Sequence, residues 1–223
     1  MVKLYGSIEP MDINWFGQSC FRLKGKTASV VIDPFDPDKT GLKFPKDLEA
    51  QVVLSTHSHT DHSNTAGVGG NPLVISGPGE YEIAGVSVVG VGAYHDNKEG
   101  AERGKNTLYH ILMDGINIVH LGDLGHLLSE EQLAQIDNTD ILFVPVGGNY
   151  TIDAEIAAKV VAQMEPRIVI PMHYQILGLK AEVEGVQPFL KEMGAENVSP
   201  ISKLTITKDK LPEETAVILL SKS

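Results

Sequence analysis

The stretch Gln51-Val52-Val53-Leu54-Ser55-Thr56-His57-Ser58-His59-Thr60-Asp61-His62 decides the fold of this chain. Its first five residues are largely apolar and predict a buried strand. Directly after them, three histidines and an aspartate fall within six positions. Imidazoles and a carboxylate at the end of a strand suit a borderline divalent cation such as zinc. The alternative is a polar surface loop, which the density of such groups after a buried strand disfavours.

The spacing within this run suggests more than one ion. His57 and His59 are two positions apart, so in an extended segment their side chains point to the same side and can reach one ion. Asp61 and His62 follow in a turn or helix start and can face a second ion from the opposite side. A zinc site needs three or four ligands, and a catalytic one keeps a position open for water. Further ligands are therefore expected elsewhere in the chain.

Three more polar residues stand where an apolar run stops. Taken singly, each could be a solvated loop residue. Together with the first run they supply the seven ligands that a site for two ions could use. These residues are His95, Asp123 and His173.

Short apolar or alternating runs fill the first half of the chain, and later runs alternate with single helical patterns. Asp114-Gly115 predicts a hairpin turn, since glycine accepts a positive φ. Without a linker or a change in composition, one domain over residues 1–223 is expected, with helices packed on sheets. Helices are expected after Ser129, over residues 153–165 and from near Val186 to Met193. Strands are expected at residues 12–16, 20–23, 29–33, 51–55, 73–76, 80–83, 86–91, 107–113, 116–121, 141–146, 167–171, 204–207 and 216–220.

The composition limits the range of functions. A formal net charge of -11 argues against a nucleic-acid partner, although bound divalent cations would offset part of it locally. Cys20 is the single cysteine, so an internal disulfide is excluded. Residues 1–6 carry no secretory signal pattern, and no run approaches 18 apolar residues. We expect a cytoplasmic protein with a small-molecule substrate and no membrane association, and leave homo-oligomerisation open.

These motifs carry a resemblance to a known family. The chain resembles the metallo-β-lactamase-fold hydrolases, whose signature H-x-H-x-D-H is intact at residues 57–62 and whose later ligand positions match in order. The resemblance implies an α/β (α+β) fold, a four-layer αββα sandwich with the metals at one edge. It also implies that Asp33 orients a ligand. The implied ligands are His57, His59 and His95 for one ion and Asp61, His62 and His173 for the other, with Asp123 bridging both.

Several segments resemble a narrower branch of uncharacterised hydrolases that includes ascorbate-6-phosphate lactonase-like proteins. They are Phe16-Gly17-Gln18-Ser19-Cys20-Phe21, His120-Leu121-Gly122-Asp123, Gly147-Gly148-Asn149-Tyr150-Thr151 and Pro171-Met172-His173-Tyr174. Departures from the patterns of other members of the superfamily disfavour those members as alternatives. Cys20 lies far from the cysteine ligand of one β-lactamase subclass, and Asp123 stands where true β-lactamases generally lack an aspartate. Flavodiiron proteins carry Glu at the position of His59, and nuclease members carry inserted domains for which 223 residues leave little room.

The ligand set implies a reaction. Two divalent ions, with zinc favoured over manganese or iron, would hold a bridging hydroxide that attacks an ester, lactone or phosphoester. Asp61 is the candidate catalytic residue, accepting or relaying the proton of that water. The alternatives are a phosphodiesterase or nuclease of the same fold, and a metal-binding protein without catalysis.

Some polar residues have an ordinary structural explanation. The run of Asp33, Asp36 and Asp38 is expected to form a turn rather than a calcium loop. Packing is the default for His120 and for three tyrosines beside the site segments, which could otherwise donate to substrate oxygen. A solvated loop is the default for His126. The tyrosines are Tyr94, Tyr150 and Tyr174.

Overall fold

Two mixed β-sheets face each other in the computed structural model, which describes residues 9–223. One sheet has six strands in the order β12-β1-β2-β3-β4-β5, and the other has seven in the order β13-β11-β10-β9-β8-β7-β6. The strands are β1 Met11–Gly17, β2 Cys20–Lys24, β3 Ser29–Ile32, β4 Val52–Ser55, β5 Leu73–Ser76, β6 Gly79–Ile83, β7 Val86–Tyr94, β8 Lys105–Met113, β9 Ile116–His120, β10 Ile141–Pro145, β11 Ile168–Met172, β12 Leu204–Ile206 and β13 Ala216–Val217. The helices are α1 Pro37–Thr40, α2 Glu130–Gln135, α3 Ala154–Met164 and α4 Gln187–Glu192.

Successive side chains along a strand point to opposite faces of the sheet and so pack into different layers. Val30 and Ile32 of β3 join the core between the sheets, while Val31 packs in a separate cluster on the other face with Phe35 and Leu42. Loop residues cover that outer face. α3 contacts β10 and α4, and α2 contacts β7. The expected α/β sandwich of the metallo-β-lactamase type is confirmed, with one outer layer formed mainly by loops.

The strand predictions differ from the structure chiefly at their ends. β7 and β8 extend beyond the predicted residues because their pairing continues to Tyr94 and Lys105, next to the loop that connects the two strands. β13 is shorter than residues 216–220 and lies at the edge of its sheet. Apolar composition locates a strand, but pairing with the neighbouring strand determines its length.

Local capping explains the helices. The side chain of Asp153 accepts a hydrogen bond from Ile156 N at 2.9 Å and begins α3, which ends just before Pro166. The helix α1 was not predicted. Asp36 caps it by accepting from Asp38 N at 2.8 Å, so the aspartate run forms a turn into a short helix, as expected in place of a calcium loop.

Chain direction brings several strand ends to one edge of the sandwich. β3 and β4 are parallel, as are β9, β10 and β11. β7 runs in the same direction as β9, because both are antiparallel to β8. A hydrogen bond of 2.9 Å from Thr107 N to Thr56 O joins the two sheets at this edge. The carboxyl ends of β3, β4, β7, β9 and β11 therefore face a common region.

Two expectations involve the N-terminal segment. The absence of a secretory signal rests on residues 1–6, which lie outside the described residues, and one domain over residues 1–223 stays a prediction. Between residues 9 and 223, every helix is too short or too polar to cross a bilayer.

Candidate metal centre

The structure brings all seven predicted ligands together at this edge, in two groups. Within each group, the candidate ligand atoms lie within 4.8 Å of one another. The first group is His57, His59 and His95, and the second is Asp61, His62, Asp123 and His173. Both groups contain imidazole nitrogen, and the second adds two carboxylates, so each has the donor chemistry of a borderline divalent cation.

Asp123 lies where the two groups meet. Its Oδ2 is 3.2 Å from His62 Nε2, 3.2 Å from His95 Nε2 and 3.3 Å from His173 Nε2. One carboxylate oxygen thus faces nitrogens from both groups. This is the position that the family resemblance implied for Asp123.

The Asp33 carboxylate fixes the orientation of two of the histidines. It lies buried at the end of β3 and accepts hydrogen bonds of 2.8 Å from Thr56 N, Thr56 Oγ1 and His62 Nδ1. Because the carboxylate only accepts, the proton of neutral His62 lies on Nδ1, which leaves Nε2 for a metal. The Thr56 hydroxyl gives its proton to Asp33 and therefore accepts from His57 Nδ1 at 3.0 Å, which leaves His57 Nε2 for a metal in the same way.

The tip of the β1–β2 hairpin forms another wall of the site. Gln18 and Ser19 make this tight turn, and both are buried. Gln18 Nε2 donates to Asp61 Oδ2 at 3.2 Å and lies 3.4 Å from His173 Nε2. Ser19 Oγ donates to Asp123 Oδ1 at 3.4 Å.

The sequence prediction gave these two residues no role. Gln18 and Ser19 occur in a segment that resembles a known branch, but nothing local marks them as neighbours of the ligands. The available signal was a two-residue turn made of polar residues between apolar strands. In a surface hairpin such residues would be solvated, whereas here they are buried at the site.

The electrostatic environment differs between the two groups. Burial, reinforced by the charge of His62, lowers the pKa of His57 to about 3, and burial also lowers the pKa of His59. Burial acts in the same direction on His62 and His173, but nearby carboxylates, Asp123 foremost, outweigh it and raise both pKa values. His57 and His59 are therefore neutral with lone pairs available, whereas His62 and His173 hold protons that a cation would displace.

Several imidazole nitrogens of the two groups fit a cation better than any protein partner. His57 Nε2 and His59 Nδ1 face each other at 3.1 Å, and His95 completes their group without a carboxylate. His62 Nε2 is buried without a hydrogen-bond partner among the described residues. Such polar atoms are costly when left unsatisfied. The residues present therefore fit bound metal.

Glycine permits the close approach of the chain segments that carry the site. Gly122, which precedes Asp123, has φ +54°, and an added Cβ would collide with the Asn106 side chain and lie 2.8 Å from Thr56 Cβ. A larger residue would push Asp123 away from the end of β4. The Gly in His120-Leu121-Gly122-Asp123 thus serves both the turn and the approach of the two sheets.

Five of the seven candidate ligands line a cavity of about 280 Å³. Asp61, with 29% of its side chain exposed, is the most accessible carboxylate of the centre. Arg103 and Tyr150 also line this cavity. Arg103 was not predicted as a site residue, because it lies in a loop whose position depends on tertiary contacts.

The remaining histidines and tyrosines mostly have structural contacts. His120 is buried, lies 2.9 Å from Ser19 O through Nε2 and packs against Phe143, as expected. Tyr174 is buried against Trp15, with ring centroids 5.0 Å apart. His126 Nε2 accepts from Tyr94 N at 3.1 Å. Of the three tyrosines considered, Tyr150 is the one that lines the cavity of the metal centre.

Comparisons with known proteins give the family. A family model described as a β-lactamase superfamily domain matches residues 12–173. A protein of Thermoplasma acidophilum, named UPF0173 metal-dependent hydrolase, is 29% identical over 217 residues, which cover 86% of this chain and 96% of that protein. A relative of the same name in Thermococcus onnurineus is 30% identical and covers 80% of this chain and 97% of its own length.

A solved structure supports the same family. It is a protein of Thermotoga maritima, described as a candidate zinc-dependent hydrolase of the metallo-β-lactamase superfamily. It is 35% identical, with a TM-score of 0.77, and the match covers 94% of this chain and 98% of that one. The narrower likeness to ascorbate-6-phosphate lactonases stays a prediction. The chain belongs to the metallo-β-lactamase superfamily and, within it, to the UPF0173 metal-dependent hydrolases.

Proposed function

We propose that this hydrolase works with two divalent ions and cleaves an ester, lactone or phosphoester of a small metabolite. The supporting observation is that two groups of ligand-type atoms meet at Asp123 Oδ2. His57, His59 and His95 would hold one ion, and Asp61, His62 and His173 the other, with Asp123 shared. When bound, the ions would lower the pKa of a water between them and polarise the oxygen of the substrate.

The chain's own residues prepare this chemistry. Asp33 and Thr56 hold the ligand nitrogens of His62 and His57 toward the site. Gln18 donates to Asp61 Oδ2 and so holds the carboxylate in place. The pKa of Asp61 is lowered, because the neighbouring His62 outweighs the effect of burial. An ionised carboxylate at the cavity can accept or relay a proton from the attacking water, which is the role we assign to Asp61.

The donor set favours one metal over others. Five histidines and two aspartates make the site rich in imidazole, which suits zinc, while manganese and iron accept the same ligands. We propose zinc. The test is elemental analysis of protein purified without added metal, with two equivalents of zinc as the expected result.

Matched substitutions test the reaction. In His57→Ala and Asp61→Asn, we expect turnover of active substrates from an ester, lactone and phosphodiester panel to fall by about 100-fold or more. His110→Ala is the control, since His110 lies on β8 and contacts Asn117 rather than the site. Unchanged turnover in both site variants would contradict the proposal.

The same panel separates the alternatives. Preferential cleavage of bis(4-nitrophenyl) phosphate, with RNA binding that weakens as salt rises, would favour a phosphodiesterase or nuclease. Metal that raises the melting temperature without turnover of any substrate would favour a binding protein. The net charge of -11 favours a small-molecule substrate over nucleic acid.

A further inference from the structure

Arg103 lies at the opening of the metal centre and connects two cavities. It lines the cavity of about 280 Å³ that five of the candidate ligands also line. It also lines a neighbouring cavity of about 580 Å³, which shares His59 and includes Lys105. Arginine is scarce in this acidic chain, with only three residues, Arg22, Arg103 and Arg167. The placement of one of them beside the proposed ions therefore needs an explanation.

The loop that carries Arg103 is built from the metal centre outward. It begins at Asp96, directly after the candidate ligand His95. Asp96 is buried, and its Oδ1 accepts from Lys98 N at 2.8 Å and Gly100 N at 2.9 Å. Its Oδ2 accepts from Glu102 N at 3.0 Å and Arg103 N at 2.7 Å. One carboxylate thus holds four backbone amides of the loop, which gives Arg103 a defined position relative to the ligands.

The guanidinium is held in place but retains donors. Arg103 Nη2 donates to Asn149 O at 3.1 Å, and its Cζ lies 5.5 Å from the centroid of the Tyr150 ring. Within residues 9–223, the carboxylate that lies within 4.0 Å of the Arg103 guanidinium is that of Glu102, 3.9 Å from Nη1. The Glu102 side chain is exposed. A guanidinium has five N–H donors, so several remain for another acceptor. The planar group is suited to binding carboxylate or phosphate with two hydrogen bonds.

We propose that Arg103, supported by Tyr150, binds an oxyanion group of the substrate, which is therefore an ester or lactone carrying a carboxylate or phosphate. This inference rests on the proposed hydrolase function and defines the class of its substrate. The anionic group would lie against Arg103 while the bond to be cleaved faces the ions. The larger neighbouring cavity offers room for the rest of the molecule.

Three 4-nitrophenyl esters test the inference on the zinc-loaded protein. The acetate is neutral, the hemisuccinate carries a carboxylate, and the phosphonoacetate carries a phosphonate. In Arg103→Gln we expect KM for at least one anionic ester to rise about 10–100-fold, with kcat and the neutral ester changed less than about twofold. Arg103→Lys should recover part of the loss. The anionic ester that loses more identifies the preferred oxyanion.

Arg167→Gln is the matched control, because it removes the same charge from a half-exposed arginine that contacts Pro212 O. It should leave all three esters unchanged. If Arg103→Gln changes the three esters by one common factor, or changes none, the inference is wrong.

Calorimetry separates this inference from the hydrolase proposal. Inorganic phosphate and succinate are titrated into the zinc-loaded chain and both arginine variants. A Kd at least about 10-fold weaker in Arg103→Gln alone supports the oxyanion site, even if no ester is cleaved. Equal Kd values in all three proteins, or no binding to the unsubstituted chain, would overturn it.

Discussion

Replacing Asp33 with Asn tests how the buried hydrogen-bond network prepares the metal centre. Asp33 has φ +47°, a left-handed conformation that Asn tolerates and that would strain Ala. Asn also keeps the size of the side chain. The change is therefore confined to the loss of one accepting oxygen and of the negative charge.

The structure sets the size of the effect. Asn can still accept from Thr56 N, but its NH₂ group then faces Thr56 Oγ1 and His62 Nδ1, which both donate to Asp33 at 2.8 Å. Hydrogen bonds to a charged group contribute about 1.5–3 kcal/mol each, so an unrelaxed variant loses about 3–6 kcal/mol of stability. His62 can relax by moving its proton from Nδ1 to Nε2. The proton then occupies the nitrogen proposed to bind metal, so part of the loss is transferred to metal affinity.

We expect zinc to bind Asp33→Asn about 10–100-fold more weakly, as is typical when a group supporting a metal-bound histidine is lost. Competition with a chromophoric chelator measures the affinity. Long-range ¹H–¹⁵N NMR of the metal-free protein, at a pH above the folded-state pKa of His62, locates the proton of the neutral ring. Asp36→Asn is the control, since Asn also caps a helix well and Asp36 caps α1. Unchanged zinc affinity, with the proton still on Nδ1 of His62, would refute the reasoning.

Three further predictions concern the same edge of the sandwich. In Gln18→Asn, the asparagine tolerates the positive φ of this turn but is too short to keep the contact with Asp61. Turnover should therefore fall about 10-fold at unchanged zinc content. Loss of zinc instead would contradict a role of Gln18 in positioning Asp61. Burial lowers the pKa of His62, but the nearby carboxylates raise it by more. The interaction of protonated His62 with these carboxylates therefore stabilises the metal-free fold fully below pH 6.5. This stabilisation is lost as the pH rises through the folded-state pKa of His62. With free zinc buffered at one concentration, about 100 times the Kd at pH 6, we expect zinc to raise Tm by about 5–11 °C at pH 6 and by more at pH 9, where fewer protons compete for His62. Thermal unfolding at both pH values measures the two increases, and the reverse order would contradict this assignment. Asp96→Asn leaves one accepting oxygen for four amides, so hydrogen exchange should accelerate over residues 97–103, and unchanged exchange would show that other contacts order the loop.

Much of the site could be predicted from local sequence because its residues follow apolar strands. The run at residues 57–62 places closely spaced residues of metal-ligating type directly after a buried strand, and both features are visible without a structure. His95, Asp123 and His173 were found by the same rule, which works because the carboxyl ends of strands running in one direction meet at one edge. The family resemblance added their division between two ions and the supporting role of Asp33.

Contacts between distant parts of the chain were decided only by the tertiary structure. Gln18 lies 155 positions from His173, and no periodicity relates a hairpin tip to a strand end so far away. Arg103 is positioned by hydrogen bonds from the backbone amides of its loop to Asp96 and by its own hydrogen bond to Asn149 O. These contacts depend on the packing of two separate loops. Side-chain patterns along a chain report which face of a strand or helix is buried, so the sequence by itself predicted helices packed on sheets and residues of metal-ligating type at strand ends. The four-layer sandwich was implied by the family resemblance. Hydrogen bonds across the fold determined which histidine nitrogens face the site and placed Arg103 at its opening.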